Sequence, residues 1–169
     1  MRCHCSRRCK EDDKYDLRFA IYALGGLTYH VSRITYHDAV NRRLVITTEP
    51  INEAALLAQR TMSADMGAVI YFLGVVRGEE EGKTIRAIEY EAFEKMVTHQ
   101  FNLLFDEMAK RWPIESVRLV HRTGVVKVNE PALWVEVVAP HRGEAFAAGH
   151  WLIDEMKRVV PIWKKPIAS

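Results

Sequence analysis

The chain has 169 residues, of which 49% are hydrophobic and 27% are charged. This composition is typical of a globular protein and argues against a disordered, collagenous or mucin-like chain. Lysine and arginine number 24 against 22 aspartates and glutamates, a net charge of +2, so we expect no nucleic-acid partner. No stretch approaches the roughly 18–20 uncharged apolar residues that cross a bilayer, so we expect no membrane partner.

The N-terminal segment, residues 1–42, shows little pattern and is predicted to be a partly disordered extension without an assigned role. All three cysteines, Cys3, Cys5 and Cys9, lie within it. This distribution argues against a disulfide framework and favours a reducing cytoplasm. Together with His4 the cysteines offer zinc ligands, but Cys-x-Cys is not the spacing of a usual zinc knuckle. An incidental cysteine-rich segment is therefore favoured over a metal site.

The remainder of the chain, residues 43–169, is predicted to be one domain. Apolar periodicity, β-branched runs and breaker residues predict these elements in chain order: strand 44–48, helix 51–62, strand 67–76, charged loop 79–83, strand 85–92, a helix from 93 to about 112, strands 117–121 and 133–139, and helix 143–160. Because the strands occur in pairs with helices between them, we predict the α+β class, with helices packed on a mixed or antiparallel sheet.

Strand 67–76 is a nearly continuous apolar run, which predicts burial on both faces. The two long helices show apolar residues at three- and four-residue steps, which predicts one core-facing stripe in each. The stripe of the first comprises Phe93, Met96, Val97, Phe101, Leu104 and Met108. The stripe of the second comprises Phe146, Gly149, His150, Ile153, Met156 and Val160.

Basic residues follow several of the predicted strands. Arg77 comes directly after strand 67–76, and His141 and Arg142 stand immediately before the last helix. A charge at a strand end is most often solvent-facing, and this alternative stays open for each of them. At a helix start, however, free N–H groups and the helix dipole favour an anion, and an arginine adds a forked donor suited to phosphate.

The C-terminal run Trp163-Lys164-Lys165 follows Pro161, which ends the last helix. Tandem lysines near a terminus are most often solvated, but a rigid aromatic beside Lys164 favours a role as base or nucleophile. No phosphate-binding loop, nucleophile elbow or zinc-protease motif is present, and no His/Asp/Glu cluster has metal-ligand spacing. An enzyme of this kind would act on an anionic substrate by positioning and charge stabilisation.

Four segments in order carry a more specific signal. They are Gly74-Val75-Val76-Arg77, Leu119 to Gly124, Ala139 to Ala148, and Ile153 to Lys165. Together they resemble the large, catalytic subunit of molybdopterin synthase over about residues 43–165. The His-Arg-x-x-Ala-Phe and Pro-x-Trp-Lys elements are the distinctive ones.

The resemblance implies the hammerhead-like α+β fold of that subunit and a sulfur-transfer reaction. Two sulfurs are inserted into cyclic pyranopterin monophosphate, which forms molybdopterin in molybdenum-cofactor biosynthesis. The implied donor is a small ubiquitin-like sulfur-carrier subunit whose C-terminal glycine is a thiocarboxylate. Two catalytic subunits are expected to form the homodimer core of a heterotetramer. No metal or organic cofactor is expected for the step.

The resemblance also implies residue roles. It assigns catalysis to Lys164, beside the donor tail. It assigns substrate binding to Val75, Val76, Arg77, His141, Arg142 and Lys165. The His-Arg pair would bind the anionic part of the substrate, and we expect this pair, Arg77 and Lys164 to border one pocket.

The C-terminus departs from the family pattern, which continues past Trp-Lys with an acidic residue and a segment that contributes to substrate binding. Here residues 166–169 follow instead. We therefore expect either a short subunit with reduced or partner-dependent activity, or a truncated sequence. The alternative function is a non-catalytic homologue that binds the small subunit or an anionic ligand.

Overall fold

The structure, a computed structural model, describes residues 40–168, which form eight strands and three helices. The strands are β1 (Asn41–Thr47), β2 (Ala68–Val75), β3 (Glu79–Glu80), β4 (Lys83–Ala92), β5 (Ser116–Arg122), β6 (Gly124–Lys127), β7 (Pro131–Ala139) and β8 (Ile162–Ala168). The helices are α1 (Glu53–Ala58), α2 (Glu94–Arg111) and α3 (Arg142–Val159).

The first sheet has the strand order β1-β5-β7-β2. β1 pairs with β5 in parallel, whereas the β5–β7 and β7–β2 pairs are antiparallel, so the sheet is mixed. The long helices α2 and α3 supply a large share of the main core, together with the inward side chains of this sheet. The predicted α+β class with a mixed sheet is confirmed.

The second sheet is built around β4, which pairs antiparallel with β3, β6 and β8. Glu81 and Gly82 join β3 to β4 with φ angles of 52° and 76°. Left-handed backbone at both positions matches the twist of a two-residue hairpin, and glycine adopts it at low cost. A small apolar cluster fills the space beneath this sheet: Val76, Ile85, Ile88, Val126 and Ala132.

The prediction that strand 67–76 is buried on both faces is wrong. β2 lies at the edge of the first sheet and, within residues 40–168, pairs with β7 alone. Its residues are mostly half-buried, and Tyr71 and Val75 are exposed. One face of the apolar run packs on the core through Ala68, Ile70 and Phe72.

The helical stripes are correct in part. In α2 the buried residues are Val97, Phe101, Leu104, Phe105 and Met108. Phe93 and Met96 are exposed. In α3 the buried residues are Ala145, Ala148, Gly149, Leu152 and Met156.

In α3 the predicted stripe is therefore displaced, and Phe146 is 64% exposed. The core-facing positions hold small residues because the helix approaches β2 closely. A Cβ placed at Gly149 would collide with the end of the Ile70 side chain.

Three strands, β3, β6 and β8, lie where the sequence predicts none. β8 uses the C-terminal lysine run, and it forms because β4 offers backbone N–H and C=O groups along one edge. This pairing gives Lys164 a fixed place in a sheet rather than in a solvated tail.

Residues 1–39 and Ser169 lie outside the described residues, and the predictions about Cys3, Cys5 and Cys9 concern that part of the chain. The domain division at residue 43 stays a prediction. Within residues 40–168, no helix is long and apolar enough to span a membrane, and no group of three potential metal ligands occurs.

Candidate active site

A cleft of about 640 Å³ lies where β2 ends and β8 begins, between the two sheets and the last turn of α3. This volume is within the range of small-molecule sites. Apolar side chains form much of its wall. The polar and ionisable lining residues are Arg77, Glu80, Tyr90, His121, Lys157 and Lys164.

The end of β2 turns toward this cleft at a β-bulge between Gly74 and Val75. A Cβ at Gly74 would lie 3.1 Å from the Cβ of Leu133, so the small residue permits close strand approach here. Val76 is buried, and its N–H donates to the carbonyl oxygen of Glu130 at 3.1 Å. The bulge thus brings Val75, Val76 and the following arginine into the cleft wall.

Glu80 links the two predicted cations of the cleft. The Lys164 ammonium donates to Oε1 of Glu80, and Nη2 of Arg77 donates to Oε2 at 3.2 Å. The Glu80 side chain is 9% exposed, whereas those of Arg77 and Lys164 are 77% and 53% exposed. The hydrogen bond from Lys164, with a smaller contribution from Arg77, lowers the pKa of Glu80 below its ordinary value. At neutral pH the carboxylate is therefore ionised and paired.

The cleft wall also contains His121 and Tyr90, and Tyr90 lies directly across from Lys164 in the β4–β8 pairing. Their rings meet edge to face with centroids 5.4 Å apart, and Nδ1–H of His121 donates to the Arg122 carbonyl oxygen at 2.7 Å. Burial lowers the pKa of His121, and burial followed by the charge of Glu80 raises the pKa of Tyr90. Both shifts favour the neutral forms, so the charge of the cleft comes from Glu80 and its three cations.

His141 and Arg142 lie elsewhere, in an open groove at the start of α3 that also includes Gly67 and Pro140. The groove and the cleft are at opposite ends of β2, whose eight residues span roughly 25 Å. The prediction that Arg77, Lys164 and the His-Arg pair border one pocket is therefore wrong within a single chain.

The groove nevertheless has the chemistry of an anion site. His141 is the N-cap residue of α3; its backbone is extended, and its side chain forms no capping hydrogen bond. Within residues 40–168, neither His141 nor Arg142 forms an ion pair. The first-turn N–H groups, the helix dipole and the guanidinium all favour an anion here.

Lys165 lies outside the cleft. Because side chains alternate along a strand, it points to the opposite face of β8 from Lys164. Its ammonium donates to Oε1 of Glu91, and this hydrogen bond raises the pKa of Lys165.

The predicted site roles leave out four residues that line the cleft: Glu80, Tyr90, His121 and Lys157. Glu80 is the middle of three consecutive glutamates, which is typical of a solvated loop. The Glu81-Gly82 pair was the available signal, because a tight hairpin there makes Glu80 a strand residue with one defined face.

Comparison with known proteins identifies the family. The family model described as MoaE protein matches residues 46–159. The chain belongs to the MoaE protein family. A molybdopterin synthase catalytic subunit from Staphylococcus carnosus is 38% identical over 126 residues, which cover 75% of this chain and 83% of that relative.

Solved structures agree with this membership. The crystal structure of molybdopterin synthase from Staphylococcus aureus matches with a TM-score of 0.66 and 34% identity, covering 75% of this chain and 90% of that one. A complex of subunits 1 and 2 of molybdopterin-converting factor from Helicobacter pylori matches with a TM-score of 0.58 and 18% identity, covering 76% and 89%. The second likeness shows the fold alone. The predicted family, and with it a molybdopterin synthase role in molybdenum-cofactor biosynthesis, is confirmed.

Proposed function

We propose that this MoaE-family chain transfers sulfur from a thiocarboxylated ubiquitin-like small subunit to cyclic pyranopterin monophosphate. The observation that carries the proposal is the convergence of Arg77 and Lys164 on one cleft of about 640 Å³. Both the donor tail and the substrate are anionic, and two cations at one cleft attract and orient such groups.

In the proposed reaction, Lys164 is the catalytic residue at the donor tail. For each transfer, a carbon–sulfur bond to a pterin side-chain carbon forms as a carbon–oxygen bond at that carbon breaks, and the displaced oxygen takes the electron pair of the broken bond. On the donor, the bond from sulfur to the acyl carbon breaks, and water supplies the oxygen that completes the spent carboxylate. An ammonium beside the acyl group stabilises the negative charge that moves during this exchange. Val75 and Val76 supply apolar wall beside it, and Lys157 is a further cation in the same cleft.

The proposed assembly is a homodimer of this chain at the core of a heterotetramer with two small subunits. The edge position of β2 supports a dimer, because exposed apolar edge strands invite pairing. In the Helicobacter pylori structure, a chain of the same fold occurs in a complex of two subunits. The cytoplasmic location inferred from the cysteines stays a prediction.

The dimer offers a way for the His-Arg pair to serve the substrate. His141 and Arg142 lie beside the start of β2, roughly 25 Å along the strand from its other end, which Arg77 follows. If they bind the anionic part of the substrate, as the resemblance implies, they reach it from the second copy. A two-fold dimer would repeat this arrangement, so each site would combine Lys164 of one chain with Arg142 of the other.

The direct test uses the full chain, a thiocarboxylated small subunit and cyclic pyranopterin monophosphate. Mass spectrometry should detect the sulfur-bearing pterin together with a donor whose tail has become a carboxylate. A donor that binds but stays thiocarboxylated would reject sulfur transfer and favour the non-catalytic alternative.

A mixed dimer tests the shared site. Lys164→Ala and Arg142→Ala chains with different affinity tags are co-expressed, and the dimer that carries both tags is isolated. One of its two sites keeps both residues, so we expect about half of the wild-type turnover, although each variant alone is nearly inactive. An inactive mixed dimer would contradict the shared site.

A further inference from the structure

Glu80 is an unusual component for a cleft that is expected to bind anions. It is the acidic residue lining the cleft within residues 40–168, beside the three cations Arg77, Lys157 and Lys164. Its neighbours Glu79 and Glu81 are exposed, whereas Glu80 is 9% exposed. The hairpin between β3 and β4 therefore selects one carboxylate of three and turns it inward.

Both oxygens of this carboxylate are engaged by the cations proposed to handle the donor. Oε1 accepts from the Lys164 ammonium and Oε2 accepts from the Arg77 guanidinium. A carboxylate and a thiocarboxylate have the same shape and charge apart from the replacement of one oxygen by sulfur. Glu80 thus occupies, in the free chain, the position in which an anionic tail would meet these two cations.

We propose that Glu80 is an internal counter-ion that competes with the anionic end of the donor for Lys164 and Arg77. It is a positioning residue, because it acts through the two cations and not on the reacting atoms. The identity of the anion as a donor tail rests on the proposed function, whereas the competition rests on the geometry of the cleft alone.

The competition has a consequence for turnover. The spent donor ends in a carboxylate, which the same cations would also hold. When Glu80 pairs again with Lys164 and Arg77, it weakens this product complex and assists release. Glu80 therefore lowers the affinity for the incoming donor tail and speeds the release of the spent one.

The test is a binding titration with a synthetic peptide that ends in a glycine carboxylate, and with the same peptide as its C-terminal amide. Glu80→Gln keeps the side-chain shape and removes the charge. We expect it to bind the carboxylate peptide roughly tenfold more tightly than wild type, the scale of removing one nearby like charge. Binding of the amide peptide should not change. Glu79→Gln is the matched control, because Glu79 is exposed and outside the cleft.

Glu80→Asp separates charge from packing. It keeps the negative charge on a shorter side chain, so competition predicts affinity close to wild type, whereas a packing role predicts a change like that of Glu80→Gln. Unchanged or weaker binding of the carboxylate peptide by a folded Glu80→Gln variant would overturn the proposal, as would an equal gain by the amide peptide.

Turnover with the thiocarboxylated subunit adds an independent readout. For Glu80→Gln we expect KM and kcat to fall together, because donor and product are both held more tightly. A structural defect would raise KM instead and would contradict the proposal. If wild type makes no product, the proposed function fails, while the peptide titration still decides whether Glu80 is a counter-ion.

Discussion

The cleft at the end of β2 and the groove at the start of α3 present positive charge in different ways. In the cleft, Arg77 and Lys164 are already paired with the buried carboxylate of Glu80. In the groove, Arg142 forms no ion pair within residues 40–168 and stands beside the first N–H groups of a helix. The two regions are separated by the length of β2.

This difference indicates different kinds of anion binding. An anion that enters the cleft must displace or share an internal carboxylate, so binding there is selective and reversible. An anion in the groove meets an arginine and backbone donors without displacing a protein carboxylate. Under the proposed function, the changing charge of the reaction belongs to the cleft, and a fixed charge, such as a phosphate, belongs to the groove.

The largest expected effect is on the cleft. Lys164→Ala should lower turnover by a factor of about 10² or more, the size typical of losing one group that stabilises developing charge. Lys164→Arg should restore little of this lost turnover, because a planar guanidinium does not take the place of a compact ammonium. Turnover is followed by mass spectrometry of the pterin product.

Lys127→Ala is a control for this substitution, because Lys127 is exposed on β6 and outside the cleft. Lys164→Ala should still fold, since Glu80 keeps Arg77 as a partner. Near-normal conversion by Lys164→Ala would show that the charge of the reaction does not develop beside Lys164. The proposed difference between the cleft and the groove would then be wrong.

At the groove, the expected effect is on the stability of the fold, and its cause is close backbone packing. A Cβ at Gly67 would lie 2.8 Å from the carbonyl oxygen of Pro140, next to the His-Arg pair. Because the obstacle is backbone, Gly67→Ala must shift the chain, and we expect a loss of about 1–3 kcal/mol in the free energy of unfolding. Denaturant unfolding measures it.

Gly143→Ala is the matched control, because a Cβ there meets no atom within 4 Å. It lies in the first turn of α3, where alanine is a better helix former than glycine, so its stability should equal or exceed wild type. Equal losses in both variants would contradict the steric argument.

His121, in the cleft wall, gives the stability of the chain a pH dependence. Burial lowers the pKa of His121 below its ordinary value of 6.5. Between the two pKa values the unfolded chain binds more protons than the folded one, so stability is fully present above pH 6.5 and falls as the pH drops toward the folded pKa. The contribution is at most about 1.4 kcal/mol per pH unit.

His121→Asn should remove this part of the slope, and denaturant unfolding at several pH values on either side of the ordinary histidine pKa measures it. The amide side chain keeps a donor for the Arg122 carbonyl oxygen that His121 now contacts. His99→Asn, at an exposed position, should leave the slope unchanged. Identical slopes in all three proteins would contradict a buried neutral histidine in the cleft wall.

The sequence predicted the elements that have strong internal patterns, and it missed those that depend on a partner. β2, β4, β5 and β7 are apolar or alternating runs, and α2 is a clear amphipathic helix. β6 has only four residues, and β8 contains two lysines and a proline, so neither has a clear strand pattern of its own. Both form because β4 lies between them. The inward turn of Glu80 has the same origin, because its burial depends on the β3–β4 hairpin and not on its own residue type.

The prediction of the functional site succeeded and failed for the same reason. Lys164 and Arg77 were predicted to share a pocket and do so. The His-Arg pair was placed correctly at a helix start but not in that pocket, because linear order does not show which ends of β2 and α3 the residues occupy. The distances between elements depend on the topology of the fold, and a local sequence motif carries no information about that topology.

The smallest expected effect belongs to Lys165, the immediate neighbour of Lys164. The resemblance implies a substrate role for both, but strand alternation turns the two side chains to opposite faces of β8, and Lys165 pairs with the exposed Glu91. Lys165→Ala should therefore reduce turnover by less than about threefold, since Lys165 does not line the cleft. Parallel assays of the two alanine variants measure the difference. A loss as large as that of Lys164→Ala would mean that the substrate reaches around the strand, and that the charge of the site extends beyond the cleft.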